Sequence, residues 1–192
     1  HNLDTLFGVK KAPCDTQMRE RLDQVLPKKI RPVFKKVFSS IQRGKVLEKY
    51  QFIDGHYLLL ADGTGFFSSK SVHCENCCVK NHRNGTQTYY HQMLGAVIAH
   101  PDHKEVFPLC PELISNTDGQ TKNDCERNAS KRLLEDVRRE HPHLPLIVVE
   151  DALASNAPHI MELEKHNMKY ILGAKPGDHA YLFEQLETSR SA

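Results

Sequence analysis

Tryptophan is absent from the 192-residue chain, aromatic residues make up only 7%, and no apolar run exceeds the five residues Tyr57–Ala61. A bilayer-spanning helix needs roughly 18 consecutive apolar residues, so no membrane segment is expected. A positively charged stretch followed by an apolar one, the mark of a secretory signal, is also missing, and the first residue is His1 rather than Met. The chain is therefore read as a cytoplasmic protein and as a piece of something longer. Cysteine is too sparse for a disulfide framework: of the six, at 14, 74, 77, 78, 110 and 125, only one group is close in sequence. Reduced thiols are expected. Net charge is likewise small, +2. With 39% apolar and 26% charged residues, the composition is that of a folded domain with a helical appendage, not of a disordered chain.

The small net charge conceals an asymmetry. Residues 1–50 carry 12 Lys/Arg against 5 Asp/Glu, whereas residues 51–192 carry 14 against 19. A basic arm beside an acidic body suits a protein that holds phosphates with one part and divalent cations with the other. A solvated lysine-rich helix face explains the same numbers.

Periodicity divides the chain at about residue 50. Asp15 or Thr16 can cap a helix with Met18, Leu22, Val25 and Leu26 on one face, ended by Pro27. A second helix places Ile30, Val33, Phe34, Val37, Phe38 and Ile41 on one stripe and stops at Gly44. Lys28, Lys29, Arg31, Lys35, Lys36 and Arg43 mostly occupy its other faces and are the candidate DNA-binding residues. From Tyr57 the pattern becomes that of strands: Tyr57–Ala61, Tyr89–Ala99, Val106–Ile114, Leu146–Glu150 and Lys169–Ala174. Helices are expected over 124–140 and 156–167. The first strand is expected to end in a turn at Asp62-Gly63-Thr64-Gly65. Three strands followed by alternating helices and strands predict a mixed five-stranded α/β sheet. Its fourth strand returns through a crossover helix to lie parallel beside the first.

In that arrangement Asp62 and Asp151 follow adjacent strands. Strands lie about 4.8 Å apart, so carboxylates at equivalent levels can share divalent cations, and hard oxygen ligands favour Mg2+ or Mn2+. Alone, each acid also fits a simple turn or helix cap. Glu150 is expected on the opposite strand face from Asp151. Asp124 and Glu126 are expected to serve the positive end of a helix, and Arg127, Lys131, Arg132, Arg138 and Arg139 to form a solvated face or touch phosphate. A second constellation is His73-Cys74-x-x-Cys77-Cys78 with His82 and His91 downstream. Cys74, Cys77 and one or both of His82 and His91 form a candidate structural Zn2+ site, against the alternative of thiols packed in a loop.

Four stretches together resemble DDE insertion-sequence transposases of the insertion-sequence-four type: Tyr57–Ser69, Tyr89–Ile98, Asn123–Ala129 and Val148–Ser155. Leu6–Val9, Pro13–Gln17 and Ile171–Pro176 extend the resemblance to nearly the whole chain. It implies a ribonuclease-H-like catalytic core over 51–192 behind a basic helical segment over 1–50. It also implies that Asp62 and Asp151 are the first and second catalytic acids. Two divalent ions would then support hydrolysis of double-stranded DNA at transposon ends and strand transfer into target DNA, in homo-oligomeric complexes in a prokaryotic, nucleoid-associated setting. The family's Tyr-x2-Arg-x3-Glu-x6-Lys signature, which carries the third acid, is absent here. The third acid is expected beyond Ala192, and little cleavage is expected from this chain alone. A non-catalytic DNA-binding or interaction module derived from such an enzyme is the alternative.

Overall fold

In the computed structural model the described residues are 2–116 and 126–190. Helices α1 (Asn2–Phe7), α2 (Asp15–Leu22) and α3 (Arg31–Arg43) precede strands β1 (Tyr57–Ser69), β2 (Cys78–Asn81), β3 (Gln87–Ala99), β4 (Phe107–Pro108) and β5 (Glu112–Ile114). Then follow α4 (Glu126–Glu140), β6 (Leu146–Glu150), α5 (Ala157–Lys165), β7 (Lys169–Leu172) and α6 (Ala180–Arg190). Seven strands form one mixed sheet in the order β2-β3-β1-β6-β7, with β4 and β5 also paired to β3. β3 is antiparallel to β1, and β6 lies parallel to β1 on its other side. The crossover through α4 is thus the one expected.

Two short strands account for the increase over the expected five. The stretch 106–114 divides into β4 and β5 because Pro108 and Pro111 interrupt its hydrogen-bond ladder, and β2 forms within the excursion between β1 and β3. The expected turn at Asp62–Gly65 is corrected: it lies within β1, paired with Gln92–Gly95 of β3. A partner strand across all four residues outweighs their local turn preference.

Tertiary support is concentrated on one part of the sheet. Leu59, Ile98, Leu133, Leu134, Val148 and Leu163 are all fully buried, joining β1, β3, α4, β6 and α5. Residues 1–50 divide in two. Phe38, Leu47 and Tyr50 belong to the same core, and Phe38 packs its ring 4.3 Å from His141. By contrast Met18, Leu22, Val25 and Leu26 are exposed, and the helix ends at Leu22, so the first predicted apolar face does not join that core. Asp124 and Cys125 lie outside the described residues. No helix among the described residues is long and apolar enough to cross a membrane.

Candidate functional site

The register of β1 against β6 runs from Tyr57 opposite Leu146 to Leu60 opposite Val149. The pairing ends there, with Asp62 two residues beyond Leu60 and Asp151 two residues beyond Val149, just past the end of β6. Both are exposed, and both line one cavity of about 540 Å³. Each is oriented by a backbone N–H of its own segment: Gly63 donates to Asp62 Oδ1 at 2.8 Å and Leu153 to Asp151 Oδ1 at 2.9 Å. Gly173, after β7, explains how the Asp151 loop seats so closely. A Cβ there would lie 2.9 Å from the Ala152 backbone nitrogen.

Two acids set aside on sequence grounds also line the cavity. Glu150 does face the helical side of the sheet, where Ser130 Oγ donates to it at 3.4 Å and His159 Nε2 at 2.5 Å. Both the Glu150 and His159 side chains are only 7% exposed. Asn156 caps α5 and accepts from the His159 backbone N–H, which fixes the start of the helix carrying that imidazole. Glu126, at the start of α4, lies across Gly63: a Cβ at that glycine would fall 2.2 Å from Glu126 Oε1. Gly63 is therefore the clearance for a carboxylate, not a turn residue. A glycine inside a strand was the one sequence signal for that close approach.

The second constellation is tighter. Cys74 Sγ and Cys77 Sγ lie 3.7 Å apart, and His91 Nε2 sits 3.4 Å from the first and 3.3 Å from the second. Among the described residues this is the group of three metal-ligating side chains whose donor atoms all fall within 4.8 Å of one another. Burial pushes the Cys77 thiol above its ordinary pKa. His82 is elsewhere, its Nε2 2.8 Å from Thr88 Oγ1. The four-ligand version of the site is corrected to these three.

Of the candidate DNA-binding residues, Lys28, Lys29, Lys35, Lys36 and Arg43 are exposed. Arg31 is not available in the same way. It contacts Asp136 at 2.5 Å, Glu140 at 2.9 Å and Glu112 at 3.7 Å. Burial works against its charge, but Glu140 and Asp136 more than offset it and hold its pKa above the ordinary arginine value. Arg31 is therefore corrected to a structural hub joining α3 to α4 and β5. Arg138 is similarly engaged, donating to the carbonyls of Leu144, His166 and Asn167.

No family model matches the chain, and no curated protein does. Solved structures that resemble it include the following three. The Mos1 transposase catalytic domain with raltegravir and Mg is 12% identical over 86% of this chain and 74% of that one, with a TM-score of 0.31. The Mos1 mariner paired end complex with Mn is 15% identical over 94% and 51%, TM-score 0.31. A pre-cleavage Mos1 transpososome is 12% identical over 97% and 55%, TM-score 0.30. The chain spans about half the length of the proteins in those two complexes. Likeness this slight bears on neither the site nor the activity.

Proposed function

We propose that this chain carries the metal-binding core of a DNA transposase of the ribonuclease-H-like, insertion-sequence-four type. The reading rests on Asp62 and Asp151, each two residues beyond the last β1–β6 pair of Leu60 with Val149, both lining one open cavity. Both donors are carboxylate oxygens, the chemistry Mg2+ or Mn2+ prefers, so the residues present fit such an ion. When bound, divalent ions would supply activation of an attacking oxygen and charge stabilisation at a leaving one.

On this reading Asp62 and Asp151 hold the ions. The Ser130–Glu150–His159 hydrogen-bond set stiffens the floor beneath Asp151, and Gly63 admits the Glu126 carboxylate to the wall. Lys28, Lys29, Lys35, Lys36 and Arg43 would grip double-stranded DNA through its phosphates, a sequence-independent and salt-sensitive mode of contact. Cleavage at transposon ends and strand transfer are both displacements at phosphorus. They would take place on paired ends, with several copies of the chain assembled on DNA in a nucleoid-associated, prokaryotic setting.

A second reading, a non-catalytic DNA-binding module, draws support from the same cavity. Among the described residues its acids do not form a trio of donors within 4.8 Å, and the third-acid signature is absent. Calorimetric titration of Mn2+ into the chain and into Asp62→Asn/Asp151→Asn tests the first reading. Binding lost in the double variant supports it. Binding equal in both, or absent from both while DNA is still bound, favours the module.

A further inference from the structure

We propose that Cys74, Cys77 and His91 bind one Zn2+ ion, which clips the β1–β2 connection to β3 and leaves a fourth coordination position open to a surface cavity. The interatomic distances carry the assignment. Zn–S bonds of about 2.3 Å and Zn–N bonds of about 2.0–2.1 Å at tetrahedral angles place two sulfurs about 3.8 Å apart and sulfur and nitrogen about 3.6 Å apart. The three separations here are 3.7, 3.4 and 3.3 Å. A disulfide, at about 2.05 Å, is a different arrangement. Two soft thiols and an imidazole select Zn2+ over Mg2+ or Mn2+, so this site is chemically distinct from the oxygen-lined cavity.

The surrounding fold has a use for such a clip. Beyond Leu60, β1 pairs with β3 but no longer with β6, so among the described residues its outer half is a sheet edge, and the 70–77 connection joins it to β2 on the far side of β3. A bulge at Phe66 shifts the register, so that Gly65 faces Gln92 and Phe67 faces His91. Bulges re-aim side chains in this way. The His91 ring lies 5.8 Å from that of Phe66, nearly parallel at 10°, and 5.6 Å from that of Phe67. Its orientation is therefore set before any metal arrives.

The direction of the fourth position follows from burial. Cys77 is 2% exposed, whereas Cys74 and His91 line a cavity of about 590 Å³ together with Lys28 and Phe66. On this assignment the vertex without a protein ligand faces that cavity.

The test uses the full chain carrying a purification tag free of histidine, stripped of metal and titrated with Co2+, whose tetrahedral thiolate complexes absorb visibly and in the near ultraviolet. One equivalent should generate the thiolate charge-transfer band, and one equivalent of Zn2+ should abolish it and raise the melting temperature. Cys77→Ser and His91→Ala should lose the band, with Cys74→Ser replacing the first if burial of Cys77 makes that variant unfold. His91→Cys should retain the band with added thiolate intensity, which separates ligation from folding. His82→Ala should behave as wild type. No band at one equivalent, a band unchanged in His91→Ala, or a band lost in His82→Ala would overturn the assignment. None of these outcomes depends on DNA cleavage, so the zinc site and the transposase reading stand or fall separately.

Discussion

The two halves of β1 present opposite solutions to holding ligands in place. Its inner half, Tyr57–Ala61, is flanked by β3 and β6 and is buried apart from Leu60. The acid that follows, Asp62, lines the same cavity as Asp151. The outer half, Thr64–Ser69, has a strand only on its β3 side among the described residues and is largely exposed. There the sequence supplies thiols and an imidazole, groups that a metal can tie together. On the two proposals, the hard ligands sit where the core supplies rigidity, and the soft ligands where a bound ion would have to.

Core truncation sharpens this contrast most. Leu59→Ala, at a fully buried inner position, should cost about 2–5 kcal/mol, whereas Phe66→Ala, 57% exposed on the outer half, should stay within about 0.5 kcal/mol of wild type in metal-free protein. Chemical denaturation measures both, and equal losses would erase the distinction. Next in size is Arg31→Ala. It removes the ion pairs to Asp136, Glu140 and Glu112, leaving Arg139 as the remaining partner of the first two, and should destabilise by about 1–3 kcal/mol, while Lys29→Ala should leave stability unchanged. In DNA-binding assays the roles reverse: each phosphate-contacting lysine removed should reduce the salt slope by about 0.9.

A smaller effect tests the wall of the acidic cavity. Gly63→Ala forces Glu126 aside and should weaken Mn2+ binding and lower the melting temperature, and adding Glu126→Ala should restore the melting temperature. A double-mutant cycle without coupling would remove Glu126 from that wall. The smallest effect is on acid stability. Burial holds His141 below the ordinary imidazole pKa, so the unfolded chain binds more protons than the folded one near and below about pH 6.5, and stability should rise with pH through that window. In His141→Phe this part of the acid sensitivity should disappear from a series of melts between pH 5 and 7.

The long apolar strands and the crossover helix were legible because burial on both faces leaves a continuous apolar run, and because parallel neighbours follow from a connecting helix. The turn expected at Asp62-Gly63-Thr64-Gly65 was not, since glycine marks a turn and a close approach alike and only the position of Glu126 separates them. Arg31 read as one more cation on a basic face, because its three carboxylate partners lie some 80 to 110 residues away in sequence. The Cys-x2-Cys spacing announced half of the Cys74–Cys77–His91 cluster. The choice of His91 over His82 required the register of β3, which spacing does not contain.

Two carboxylates from distant sequence, Asp62 and Asp151, are proposed to act as one cation site. Crystals of the chain soaked in Mn2+ and measured for anomalous scattering test it most directly. The prediction is density between Asp62 and Asp151, absent from crystals of Asp62→Asn/Asp151→Asn. Well-ordered crystals with both carboxylates resolved and no anomalous density between them at saturating Mn2+ would contradict it.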